Sequence, residues 1–145
     1  MKISLTGLAL VKSEEGWVNH VYEDQTGHLT IGYGHLVKLG ERFPETISYE
    51  RGEQILREDL EWAETVVTSS VRVSLSQSQF DALVDFVFNE GCGSFKRSTL
   101  LLKLNNGDSV GASREFIKWV YSGGVILDAL VKRREKERHL FLSVN

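Results

Sequence analysis

The sequence predicts an α+β fold, mostly α, with a small β-hairpin lobe and a larger helical lobe joined by a long helix, and a cleft between the lobes. Three observations predict it. Between residues 17 and 35, runs of β-forming residues flank the turn Asp24-Gln25-Thr26-Gly27. Elsewhere, apolar residues recur at i, i+3, i+4 and i+7, the period of a helix with one buried face. Finally, 145 residues with one proline and no repeat or low-complexity linker fit a single domain with a real core. The expected division is a β lobe over 16–47, a connecting helix over 48–68, and a helical lobe over 69–145 that also receives the first helix.

The first helix spans 4–15. Ser4 is its N-cap, Leu5, Leu8 and Ala9 form its stripe, and Gly16 stands where a left-handed residue ends it. The apolar run over 3–11 is too short to span a bilayer, has no small-residue cleavage site, and leads directly into Glu15. It reads as a core helix of a chain made in the cytoplasm. Strands follow at Val21-Tyr22 and over 28–33. Alternation puts His28, Thr30 and Gly32 on one face and Leu29, Ile31 and Tyr33 on the other.

The long helix over 48–68 has an acidic solvated side and an apolar side of Ile55, Leu56, Leu60, Ala63 and Val67. Ser76 and Gln79 form a capping box ahead of Phe80, Leu83, Val84, Val87 and Phe88, a stripe apolar enough for the central helix of its lobe. Residues 89–94 break that helix. Another runs over 99–104 and stops at Asn105-Asn106-Gly107. Asp108 caps a helix reaching 119, Gly123-Gly124 forms a loop, and the last helix covers 128–142.

Composition excludes several classes. Hydrophobic content of 41% and charged content of 26% are ordinary for a soluble globular chain. The formal net charge of −3, without aromatic-basic interleaving, argues against nucleic acid as a partner. The basic run Lys132-Arg133-Arg134-Glu135-Lys136-Glu137-Arg138 reads as a solvated helix or as attraction to an anionic polymer. Cys92 alone can make no internal disulfide. His20, His28, His35 and His139 lack paired ligand spacing, so neither a metal nor a cofactor is expected. His35 reads as buried and ion-paired.

One constellation carries chemistry. Glu14 and Glu15 occupy the last turn of the first helix, where the negative end of the dipole disfavours a charged carboxylate. Asp24, in a turn, is solvated or held by backbone N–H groups and so ionised. A neutral carboxyl opposite an ionised one is the division of labour that cleaves glycosidic bonds. The Thr30 hydroxyl suits a water beside Asp24. Taken singly, each residue also has a structural reading: a solvated helix end, turn chemistry and β-propensity.

The string Glu15-Gly16, Tyr22-Glu23-Asp24, and Gly27-His28-Leu29-Thr30-Ile31-Gly32-Tyr33-Gly34-His35 resembles the active-site signature of phage-type lysozymes, the bacteriophage endolysins. The block running from Phe88 through Asn89-Glu90-Gly91 to Ser98-Thr99-Leu100 is similar to the family's cleft-lining loop. Leu130-Val131-Lys132-Arg133-Arg134 is similar to its basic C-terminal helix. The resemblance implies a lysozyme-like fold and a monomeric, cofactor-free muramidase acting on peptidoglycan glycan strands. In that reading Glu15 is the acid and Asp24, with Thr30, directs water for inversion. Leu36, Phe88, Ser98 and Ser113 contact the glycan, and Arg133 or Arg134 pairs with the helix end at Glu14 or Glu15. It further implies no stable membrane insertion and reliance on a pore-forming export partner to reach the periplasmic wall. A lytic transglycosylase or an inactive peptidoglycan-binding relative are the alternatives. Two departures are Ala129, where the family often has glycine, and Leu36, where many relatives have threonine.

Overall fold

The computed structural model describes residues 1–144; Asn145, the last residue of the expected helical lobe, lies outside them. The chain forms two compact units, one of residues 11–61 and one of residues 1–10 together with 62 onward. Helix α1 (Leu5–Glu15) and helix α2 (Tyr49–Ser70) each contribute residues to both units.

The smaller unit holds a three-stranded antiparallel sheet, β1 (Val18–Glu23), β2 (Leu29–Gly32) and β3 (His35–Leu36), in the order β1-β2-β3. Tyr22 pairs with Thr30 and Glu23 with Leu29, and the register shifts between Val18 and Tyr22. The third strand was not expected from the sequence, because two residues after a Gly-Tyr-Gly turn are too few to show a period. The shared face expected for Leu29 and Ile31 holds only in part: Leu29 is exposed and Ile31 is fully buried. Ile31 packs with Ile47 and Ile55, flanked by Trp17, Val37 and Phe43, whereas Leu29 stands at the start of the strand beside the turn. Thr30, on the central strand between Tyr22 and Leu36, is buried as well.

The larger unit is built around α3 (Gln77–Glu90). Ser76 and Gln79 close the expected capping box at its start. Every residue from 80 to 87 on α3 is buried, so this helix is covered on all sides. Phe86 is its hub, meeting the rings of Phe116 and Trp119 edge-on at 5.5 Å and that of Phe95 at 6.3 Å. Around it lie α4 (Cys92–Lys96), α5 (Thr99–Asn105), α6 (Ser109–Glu115) with a 3-10 turn over Phe116–Lys118, and α7 (Asp128–Leu142). The start of the chain is tied in by polar bonds. Ile3 N–H donates to Glu64 Oε2 at 2.7 Å, Ser4 N–H donates to Asp81 Oδ1 at 3.0 Å, and the Ser4 hydroxyl donates to Asp81 Oδ2.

Two elements here were not foreseen. Helix α4 is a single turn after Gly91, too short to carry a stripe. Gly123-Gly124, read as a loop, is the tip of a hairpin of β4 (Tyr121–Ser122) and β5 (Val125–Ile126), both glycines at positive φ. That combination of two glycines between β-formers is the signal of a two-residue hairpin turn. The capped helix from Asp108 divides at Glu115, with the Asp108 carboxylate accepting from Gly111 N–H at 2.8 Å as expected of an N-cap.

Beneath α7 lies a buried charge cluster. Arg133 grips Asp85 with two bonds of 3.0 and 2.8 Å. Arg134, fully buried, donates to Glu90 at 2.9 Å and to Asn89, and its guanidinium lies 5.1 Å above the Phe86 ring. Its Nε is 2.9 Å from Glu137 Oε1 but out of line for a hydrogen bond. Burial, with the adjacent Asp85 carboxylate, pushes the Glu137 carboxyl well above the usual range. Burial also opposes charge on Asp85, but Glu137 and the Arg133 guanidinium win and hold it below its ordinary value.

Candidate active site

Glu15 is the last residue of α1. Gly16 follows at φ 73°, its N–H donating to Lys12 O at 3.1 Å, so the chain turns away as soon as the carboxyl has been placed. The Glu15 side chain is half-buried and lies against the turn between β2 and β3. A Cβ on Gly34 would stand 3.7 Å from both its Cβ and its Oε2. One turn earlier, Lys12 pairs with Glu53 of α2 at 2.6 Å and lies over the Tyr33 ring.

Asp24 follows β1 directly. Its N–H donates to His28 O at 2.9 Å, and Gly27 N–H donates to its carbonyl at 3.0 Å, which closes the turn. Three donors converge on one carboxylate oxygen, Oδ1: Thr26 hydroxyl at 2.7 Å, Thr26 N–H at 2.9 Å and His28 N–H at 2.9 Å. The Thr26 hydroxyl first, then the His28 backbone, hold the Asp24 carboxyl below its ordinary value. This carboxylate is an anion at any neutral pH.

The Thr30 hydroxyl donates to His28 O at 3.1 Å, the carbonyl that also accepts from Asp24 N–H. One carbonyl therefore fixes Asp24 and Thr30 relative to each other. Leu36 is exposed on β3, paired with Thr30 across the sheet. Glu15, Asp24, Thr30 and Leu36 all belong to the smaller unit.

The other residues singled out from the sequence belong to the larger unit. Phe88 is half-buried near the end of α3, its ring 6.2 Å from that of Trp62. The Ser98 hydroxyl donates to Phe95 O at 2.6 Å and accepts from Leu101 N–H at 3.1 Å as the cap of α5. Ser113 is buried and donates to Val110 O at 2.6 Å. Both hydroxyl protons are thus committed to local backbone. Arg133 and Arg134 are held in the charge cluster described above. Among the described residues, no group of three or more His, Cys, Asp or Glu side chains is placed to hold a metal ion. None of the described helices is long and apolar enough to cross a membrane.

Sequence reasoning expected backbone N–H donors to Asp24, which the N–H groups of Thr26 and His28 supply, but missed the Thr26 hydroxyl, the largest influence on its state. The signal was available: threonine two residues after aspartate in a turn offers both N–H and O–H to that carboxylate.

The family model described as phage lysozyme matches residues 12–137, a span containing Glu15, Asp24 and Thr30. The chain belongs to the phage lysozyme family. It is 42% identical over 147 residues to the endolysin of Acyrthosiphon pisum secondary endosymbiont phage 1, covering 99% of each chain. It is 44% identical over 146 residues to the endolysin of Bacillus phage B103, covering 99% of this chain and 55% of that protein. The chain therefore spans about half the length of that relative. Among solved structures, a mutant of P22 lysozyme superposes with a TM-score of 0.90 at 40% identity, covering 99% of both chains. The muramidase domain of SpmX from Asticaccaulis excentricus gives 0.86 at 35% identity, again over 99% of both. As a phage lysozyme, the chain has the mostly helical architecture with a small antiparallel sheet unit and a larger helical unit, and it is a glycoside hydrolase of the lysozyme type.

Proposed function

We propose that the chain is an endo-acting muramidase that hydrolyses the β-1,4 bond between N-acetylmuramic acid and N-acetylglucosamine of peptidoglycan with inversion. The observation that carries this reading is the Asp24 carboxylate. Three donors hold it ionised on one oxygen, in the same unit as a half-buried Glu15 at a helix C-terminus. Glu15 gives its proton to the leaving glycosidic oxygen as the bond to the anomeric carbon breaks. Water attacks that carbon from the opposite face and loses its proton to Asp24. Thr30, locked to the same carbonyl as Asp24, orients the water. Both carboxyls then hold each other's starting state, and exchange with solvent restores them.

Leu36 and Phe88 are proposed as glycan contacts by their match to the family pattern; Ser98 and Ser113 match it too, but both are buried with their hydroxyls bonded to local backbone and are not proposed as contacts. The likeness to phage endolysins supports a role in host lysis, with the wall reached after a pore-forming partner opens the membrane. Mass spectrometry of products from purified peptidoglycan tests the reaction: reducing-end muramic acid is expected, released as the α-anomer by NMR. Anhydro-muramic ends would show a lytic transglycosylase instead, and a direct β-product would make Asp24 a nucleophile.

A further inference from the structure

Asp24 is the terminus of a short hydrogen-bond chain. The His28 ring nitrogen Nδ1 lies 2.5 Å from the Thr26 Oγ1, which lies 2.7 Å from Asp24 Oδ1. The direction of this chain follows from its chemistry. An ionised carboxylate has no hydrogen to give, so the Thr26 hydroxyl donates to Asp24 and its lone pair accepts from Nδ1–H of His28. That order requires a proton on Nδ1, and so selects one tautomer of the neutral ring or the imidazolium.

We propose that Thr26 and His28 are positioning residues for the catalytic base, joined to Asp24 in a chain that occupies Oδ1 and leaves Oδ2 to receive the proton of the attacking water. This rests on the reading of Asp24 as that base. The Asp24 side chain is 30% exposed in a turn, where an unrestrained carboxylate would sample several rotamers. The Thr26 N–H and the His28 N–H fix Oδ1 from the backbone, and the Thr26 hydroxyl, itself held by the His28 ring, closes the third side. With all three bonds on one oxygen, rotation of the carboxylate plane breaks them together. Among the described residues, Oδ2 is the oxygen to which no protein group donates. His28 Nδ1, 3.9 Å from Oδ1, is the ionisable group facing the carboxylate from β2's side of the turn. The hydroxyl's own donation lowers the basicity of Asp24, in keeping with the direction of its shift. The site therefore trades proton affinity for a fixed, always ionised acceptor.

The test uses Thr26→Val, which keeps the shape of the side chain and removes only the hydroxyl bond, with Thr26→Ser, His28→Ala and Asp24→Asn beside it. Two readouts are taken on the whole chain: the carboxyl titration of Asp24 by NMR, and the pH profiles of kcat and kcat/KM on peptidoglycan. For Thr26→Val the Asp24 midpoint and the acidic limb of kcat/KM both move up by about half to one pH unit, and kcat falls about tenfold with KM within about twofold. Thr26→Ser returns both readouts to the parental values, and His28→Ala moves them in the same direction by less. A Thr26→Val enzyme whose midpoint and limb coincide with the parent's, while Asp24→Asn is inactive, overturns the proposal and leaves Asp24 as the base. If Asp24→Asn turns over at the parental rate, Asp24 is not the base and the proposal goes down with that reading.

Discussion

Trp17 lies directly on Gly52: a Cβ at residue 52 would stand 2.2 Å from Cζ3 and 2.6 Å from Cη2 of the indole. The ring is held there by stacking on Tyr49 and by tilted contact with Tyr33, both at 4.7 Å between centroids. Trp17 is two residues after Glu15, and Gly52 lies in the first turn of α2, so this contact seats the start of α2 against the segment that follows the proposed acid. Gly52→Ala forces the indole or the helix to move. The expected cost is about 1–3 kcal/mol, the range for overpacking, read as a lower denaturation midpoint in urea. An unchanged midpoint would mean that the ring shifts freely.

Glu15→Gln keeps the shape of the side chain and removes the titrating proton. Turnover falls by at least ~10²-fold, the low end for general acid catalysis. Stability is unchanged or slightly higher, because a carboxylate beside a helix C-terminus is electrostatically unfavourable. Clearing of cell walls at near the parental rate would falsify the assignment of Glu15 as acid.

His35 is clamped between two carboxylates, Nδ1 at 2.8 Å from Asp59 and Nε2 at 2.8 Å from Glu41, as the sequence reading of a buried, paired imidazole expected. Burial favours the neutral ring, but the two carboxylates outweigh it and raise the imidazole above its ordinary 6.5. The partners respond differently. Burial keeps Asp59 above its ordinary value even beside the imidazolium, while burial is outweighed at Glu41, which falls below its ordinary 4.5. The stability that His35 contributes is fully present below pH 6.5 and is lost as pH rises through its raised folded value. That from Glu41 is present above pH 4.5 and is lost as pH falls through its lowered folded value. The stability advantage of the parent over His35→Asn is therefore greatest between pH 4.5 and 6.5 and declines above. Urea denaturation of both proteins from acid to alkaline pH checks this; a difference that stays flat with pH refutes it.

Asp85→Ala removes the carboxylate that takes two bonds from the buried Arg133 guanidinium. The expected loss is about 3–5 kcal/mol, as for breaking a buried pair by removing one member. Replacing both, as Asp85→Leu with Arg133→Met, costs far less or nothing, since apolar residues of similar volume need no partner. The double-mutant cycle by denaturation separates the two outcomes. A single Asp85→Ala variant as stable as the parent would show that the guanidinium finds other acceptors.

The helices with caps and stripes were legible without coordinates. Ser76 and Gln79 announce α3, Asp108 announces α6, and the stripe of Ile55, Leu56, Leu60, Ala63 and Val67 announces α2, because capping and amphipathic period are local properties of the chain. The ends of α1 and the turn at Asp24 were legible for the same reason, and they bring Glu15, Asp24 and Thr30 into one reading. Elements of one turn or two residues, α4 and β3, are too short to hold a period, and neighbouring segments decide them; the β4–β5 hairpin is as short, but Gly123-Gly124 marks its turn locally. The long-range partners were likewise beyond the sequence. Nothing local tells Arg133 to grip Asp85, Trp17 to cover Gly52, or His35 to lie between Glu41 and Asp59. All of those pairings but that of His35 with Glu41, six residues on, join residues far apart in the chain, and they exist only because burial makes an unpaired charge or an empty space costly once the fold has closed over it.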